Sequence, residues 1–229
     1  MKKKITLFLL SFISLGSWAQ QYSQNWSTVN YVGDGQGYHD MDIFLPKTIK
    51  SKYPVVIYIY GSAWMSNNGK GADMNNIGAA LLDAGFAVVT PNHRSSSDAK
   101  FPAQINDIKA VIRFLRGNSA TYKLDTSFIG ISGSSSGGHL ASLAGTSNYI
   151  KQFTVGTASA NIEGSLGLHT AQSSAVDAVC DWFGPIDFLK MDSCGSQLNH
   201  NAANSPESSL IGGAIQINKE KVALANPIT

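Results

Sequence analysis

Ser127-Phe128-Ile129-Gly130-Ile131-Ser132, then Gly133-Ser134-Ser135-Ser136-Gly137, then Gly138-His139-Leu140-Ala141-Ser142-Leu143-Ala144, is the stretch whose reading decides the fold. The first six residues predict a strand and the last seven a helix. Between them lies a G-x-S-x-G pentapeptide, and only one frame of the serine run fits it, with Ser135 at the centre. A strand–turn–helix context is what a nucleophile elbow requires, because the sharp turn lifts one hydroxyl clear of the backbone at the carboxyl end of a sheet. Gly133 and Gly137 are expected where a Cβ would collide with that turn.

Working outward, the same alternation continues. Ser27 to Val32 and Tyr38 to Leu45 flank a Gly33-Asp34-Gly35-Gln36-Gly37 turn and predict an antiparallel hairpin. Val55 to Tyr60 is a continuous apolar run, as expected of a strand buried on both faces. Asp73 to Ala84 carries Met74, Ile77 and Leu81 at helical spacing and stops at Gly85. Phe86 to Thr90 predicts another buried strand. A helix after Pro102 places Ile105, Ile108, Ile112 and Leu115 on one stripe. Residues 147–175 are small, polar and Gly-rich and are expected to be irregular; Val176 to Trp182 predicts a sixth strand and Lys219 to Ala225 a short helix. Strands alternating with helices imply an α/β sheet with right-handed crossovers, whose ligands bind beyond the carboxyl ends of the strands. Tyr60 to Trp64, Asn92-His93-Arg94 and Ser135 are all expected to meet there.

The first nineteen residues have the form of a secretory signal peptide: Lys2-Lys3-Lys4, an apolar Ile5 to Leu15 too short to span a bilayer, and a small-x-small site at Ser17-Trp18-Ala19. This predicts a secreted or periplasmic protein with no stable membrane anchor and a single domain over residues 20–229. The chain has 17 basic and 15 acidic residues. Without the three leader lysines, 14 basic face 15 acidic, a net −1, and there is no clustered basic face to bind nucleic acid. Cys180 and Cys194 lie in a compartment that permits a disulfide, but Cys180 ends an apolar strand, where a buried thiol is favoured over a bond. No His/Cys/Asp spacing matches a zinc or iron site, and no cofactor is expected.

Five segments together resemble a known family: Tyr60-Gly61-Ser62-Ala63-Trp64, the helix from Phe101-Pro102-Ala103-Gln104, the elbow run from Gly133 to Gly145, Glu163 to Gly167, and Asp181-Trp182-Phe183-Gly184-Pro185-Ile186-Asp187-Phe188. They look like the secreted esterase/lipase branch of the α/β-hydrolases, and more narwowly are similar to bacterial carbohydrate and feruloyl esterase-like proteins. The resemblance covers nearly all of residues 38–229. It implies an α/β-hydrolase fold, a three-layer sandwich with a mostly parallel sheet, here incomplete after about the sixth strand. It also implies ester hydrolysis through an acyl-serine at Ser135, with the N–H groups of Ser62, Ala63 and Ser136 as the oxyanion hole. The matching family loop reads H-G-G-G/A-W, so Tyr60 and Ser62 depart from it.

The triad acid and base implied by the resemblance have no counterpart before Thr229, so the chain is expected to be a carboxy-terminally truncated piece of a longer enzyme. Of the residues present, His139 fits the elbow helix as a structural residue, and His93 is expected to be a solvated loop histidine. His39, His169 and His200 carry no motif. Asp181 is expected to be structural beside Gly184 to Asp187. The expected substrate is a carbohydrate or small-molecule ester, acyl esters of polysaccharides first, with a general carboxylesterase or lipase, or a non-catalytic binding protein, as alternatives.

Overall fold

The computed structural model describes residues 22–229. The leader assigned to residues 1–19 lies outside them. Eight strands are present among the described residues: β1 (Tyr22–Asn30), β2 (Asp40–Pro46), β3 (Tyr53–Ile59), β4 (Ala87–Pro91), β5 (Leu124–Ser134), β6 (Gln152–Val155), β7 (Ala158–Asn161) and β8 (Ala178–Trp182). Six form one sheet in the order β1-β2-β4-β3-β5-β8. β1/β2 and β2/β4 are antiparallel, and β4, β3, β5 and β8 run parallel. This is the mixed, mostly parallel sheet of an α/β-hydrolase.

The continuous apolar run of β3 is explained by its position. Val55, Ile57 and Ile59 face the large core, with Ile105, Ile108, Ile112 and Leu115 of α2 (Ala103–Gly117) and Leu140, Ala141 and Ala144 of α3 (Ser136–Thr146). Tyr58 faces the other way, against Val88 and Leu82. Both faces are therefore covered at the sheet centre, and each fully buried aliphatic side chain contributes about 1.5–3 kcal/mol. Coverage fails at the β8 end. Phe128, Val179 and Trp182 stand 52%, 42% and 45% exposed, and with Ile77, Leu81 and Phe86 they line an apolar groove of about 260 Å³.

Three local expectations need correction. The predicted helix over Asp73 to Ala84 is a π-turn, Met74–Gly78, running into a short α1 (Ala79–Asp83), with Gly85 ending it at φ +90°. Residues 147–175 are not wholly irregular, because β6 and β7 pair as an antiparallel hairpin packed on α5 (Lys219–Ala225). Cys180 is not a buried thiol: it and Cys194 are free and exposed, since β8 is a sheet edge with an uncovered face. Among the described residues no helix is long and apolar enough to cross a membrane.

Candidate active site

The β5–α3 junction places Ser135 at φ 52°, ψ −123°, a conformation that costs a non-glycine residue on the order of 1–3 kcal/mol and persists only where surrounding structure enforces it. The glycines show what enforces it. A Cβ on Gly133 would strike the backbone of Gly137, and one on Gly137 would strike the Ile59 and Tyr60 carbonyl oxygens. Register does the rest: Ile59 pairs with Gly133, so the loop leaving β3 runs directly beside the turn. A Cβ on Gly61 would lie 2.7 Å from the Ser134 carbonyl oxygen and 2.9 Å from the Ser135 Cβ. On the other side the Ser135 N–H donates to the Trp182 carbonyl at 2.9 Å, tying the turn to the end of β8.

Of the residues assigned to the oxyanion hole, Ser62, Ala63 and Ser136 do lie together. The Ser62 N–H donates to the Ser136 Oγ at 2.8 Å, so it is already occupied. Positive φ falls on Ala63 (52°) and Trp64 (56°) and not on Ser62, so the loop's strain sits one residue beyond the position where serine replaces glycine. Tyr60 stacks on His93 with ring centroids 5.0 Å apart, which brings the 60–64 and 92–94 loops together. The Tyr60 hydroxyl donates to the Ser66 carbonyl, and burial pushes its pKa up to about 12.

Each of the five histidines makes a hydrogen bond elsewhere, although the buried His93 Nε2 has no partner, and among the described residues no side chain hydrogen-bonds the Ser135 Oγ. His93 departs from the solvated-loop expectation. It is fully buried under Tyr60, its Nδ1 bonds the Arg94 carbonyl, and burial lowers its pKa. His139 is structural, as its place in the elbow helix suggests. Its Nδ1 accepts from Trp64 Nε1 at 3.2 Å, so the proton sits on Nε2, which donates to the Ala225 carbonyl at 2.8 Å. One imidazole thus joins the β3 loop, α3 and the end of α5. His39 lies between Asp34 and Asp107, and His169 bonds Asn118. Asp181 accepts from the Gly184 N–H and the Ser142 hydroxyl, fixing the loop after β8 to α3.

The His139 joint carries a pH signature. Burial lowers its pKa to about 4 against an ordinary 6.5. Its neutral form therefore stabilises the fold fully above pH 6.5, and that stability is lost as pH falls through the folded value, because the unfolded chain takes up the proton first. At about 1.4 kcal/mol per pH unit the loss is roughly 3 kcal/mol. Urea melts of wild type and His139→Gln between pH 7 and 4 should show the stability gap between them narrowing as pH drops. A gap that stays constant would mean His139 titrates normally.

Ion pairs that sequence reasoning did not find hold the loops around this site. Asp107 on α2 pairs with Arg94 (2.6 Å) and lies 3.4 Å from His39. Glu163 meets Lys109 and Arg113, both buried on α2, and so anchors the 147–175 excursion. Partners up to 68 residues apart leave no short-range signal.

Comparison with known proteins places this arrangement. The family model described as BD-FAE matches residues 41–229. The chain belongs to the BD-FAE family. This BD-FAE chain is 56% identical to the solved bifunctional GH43-CE of Bacteroides eggerthii, with TM-score 0.85, covering 90% of this chain and 26% of that one. It is 48% identical to a solved truncated form of a carbohydrate esterase from gut microbiota, with TM-score 0.87, covering 92% and 73%. Among curated relatives, Esterase LipQ of Mycobacterium tuberculosis is 38% identical over 94 residues, 41% of this chain and 22% of LipQ. The chain spans about a third or less of the length of the curated relatives it matches first.

Proposed function

We propose that this chain carries the nucleophile and oxyanion loop of an exported serine ester hydrolase that acts on acyl esters of polysaccharides. The observation that carries the reading is the backbone of Ser135, forced to φ 52°, ψ −123° between β5 and α3 with the β3 loop pressed against it at Gly61. In this reading the Ser135 Oγ attacks the ester carbonyl. The Ser136 N–H at the start of α3 and the Ala63 N–H receive the developing oxyanion, and the Ser62 N–H joins them if the Ser136 hydroxyl turns away. Among the described residues no histidine bonds the Ser135 Oγ, and this reading assigns no base or acid to it. The polysaccharide assignment rests on the relatives named as carbohydrate esterases, and export rests on the leader-like residues 2–19.

A non-catalytic binding role is the second reading, favoured because no histidine among the described residues bonds the Ser135 Oγ. p-Nitrophenyl acetate separates the two. Acetylation within the tryptic peptide Leu124–Lys151, absent from Ser135→Ala, supports the hydrolase; a Leu124–Lys151 peptide left unacetylated in the wild type supports the binding role. Slowing by acetylated or feruloylated xylo-oligosaccharide but not by tributyrin supports the polysaccharide substrate, and the reverse pattern supports a general carboxylesterase.

A further inference from the structure

A second serine, outside the elbow turn, stands at the head of a hydrogen-bonded chain. The Ser196 Oγ is 2.9 Å from His200 Nε2, and His200 Nδ1 is 3.0 Å from the Glu207 Oε1. Both distances fall in the range at which a hydroxyl, a base and an orienting carboxylate work as a unit. Burial grades in the order such a unit needs. Ser196 is exposed, His200 is 9% exposed, and Glu207 is 2% exposed beneath it on α4 (Pro206–Ile211). An ionised Glu207 can only accept, so Nδ1 carries the imidazole proton and Nε2 faces the Ser196 hydroxyl as an acceptor. The other Glu207 oxygen has no partner, which leaves His200 as that carboxylate's one polar contact among the described residues. The loop is also held from behind, because Asp192 accepts from the backbone N–H groups of His200 and Asn201.

This chain opens on a space. Ser196 and His200 line a cleft of about 760 Å³ together with Phe183, Ile186, Met191 and Cys194. Its walls are mostly apolar, suiting the acyl part of a carboxylic ester. The nearby Ser193 serves as an internal control, since its Oγ donates to the Lys190 carbonyl and has no base.

We propose that Ser196 is a second acyl-accepting serine, with His200 as its general base and Glu207 as the positioning carboxylate. In the step, a bond forms between the Ser196 Oγ and the ester carbonyl carbon, and the bond from that carbon to the alcohol oxygen breaks. The hydroxyl proton passes to His200 Nε2 and from there to the departing alkoxide; nothing is oxidised or reduced. The Leu198 N–H donates to the Ser196 Oγ at 3.1 Å and holds the hydroxyl oxygen in place. The acyl-serine is read as a stoichiometric adduct. The proposal rests on its own residues and does not depend on the role of Ser135.

The test is acetylation of the Ser135→Ala chain by p-nitrophenyl acetate, followed by tryptic peptide mapping. Ser135 would lie in Leu124–Lys151 and Ser196 in Met191–Lys219, so the two sites are read separately. The expected result is an acetyl group on Ser196 and not on Ser193, formed about tenfold or more slowly in Glu207→Gln, in keeping with the usual worth of general-base assistance. Ser196→Ala alters only an exposed side chain and should abolish the adduct while leaving the thermal melt unchanged. No acetylation of Ser196 in a chain that melts cooperatively would overturn the proposal. So would equal rates at Ser193 and Ser196, or an adduct on that peptide that survives Ser196→Ala.

Discussion

Hydrolysis of an activated aryl ester by the 229-residue chain is expected to stay close to background, three or more powers of ten below an intact serine esterase. Removing the base from a triad typically costs several powers of ten in turnover, and here no imidazole bonds the Ser135 hydroxyl. His139 has both nitrogens committed, to Trp64 and Ala225; His93 is sealed under Tyr60; His200 is bound to Ser196 and Glu207. What remains is an oxyanion loop and a strained serine, enough to accept an acyl group from a good leaving group but not to return it to water quickly. Steady-state assay with p-nitrophenyl acetate checks this. Turnover in the ordinary esterase range would contradict it and would direct attention to the unpartnered His93 Nε2, or require His139 to leave its present partners.

The chain is also expected to self-associate through β8. That strand is the edge of the six-stranded sheet, so among the described residues the backbone groups of Ala178–Trp182 on the side away from β5 have no sheet partner. Val179, Trp182 and Phe128 are exposed next to it. An unpaired apolar edge is a template for another strand. Against a net stability of only about 5–15 kcal/mol, an uncovered groove of this kind weighs heavily on solubility. Size-exclusion chromatography should give a species that grows with concentration, and Val179→Lys should shift it back toward monomer. A monodisperse wild-type monomer with one cooperative melt would mean that the edge is protected.

Much of the fold is legible in the sequence. The alternation of apolar runs and helical stripes gave the parallel sheet, because strands buried on both faces leave a continuous apolar signature, as Val55 to Tyr60 does. The glycines at 133 and 137 marked the turn because only a missing Cβ permits the close approach of Ile59 and Tyr60. What the sequence hid has physical reasons. The β6–β7 hairpin is built from small and polar residues with one side to solvent, so its alternation is weak. The burial of His93 depends on Tyr60, 33 positions away. Cys180 looks buried in a run of apolar residues, yet the run lies at an edge, and sheet order is not written in local pattern. The unit formed by Ser196, His200 and Glu207 spans only twelve positions but needs an irregular loop to bend back onto α4, which no periodicity announces.

Covalent labelling decides whether Ser135 is the nucleophile. A fluorophosphonate probe, followed by peptide mapping, should mark Leu124–Lys151 in wild type and in Ser134→Ala, and leave that peptide unmodified in Ser135→Ala. A label on Leu124–Lys151 that persists in Ser135→Ala would contradict the account.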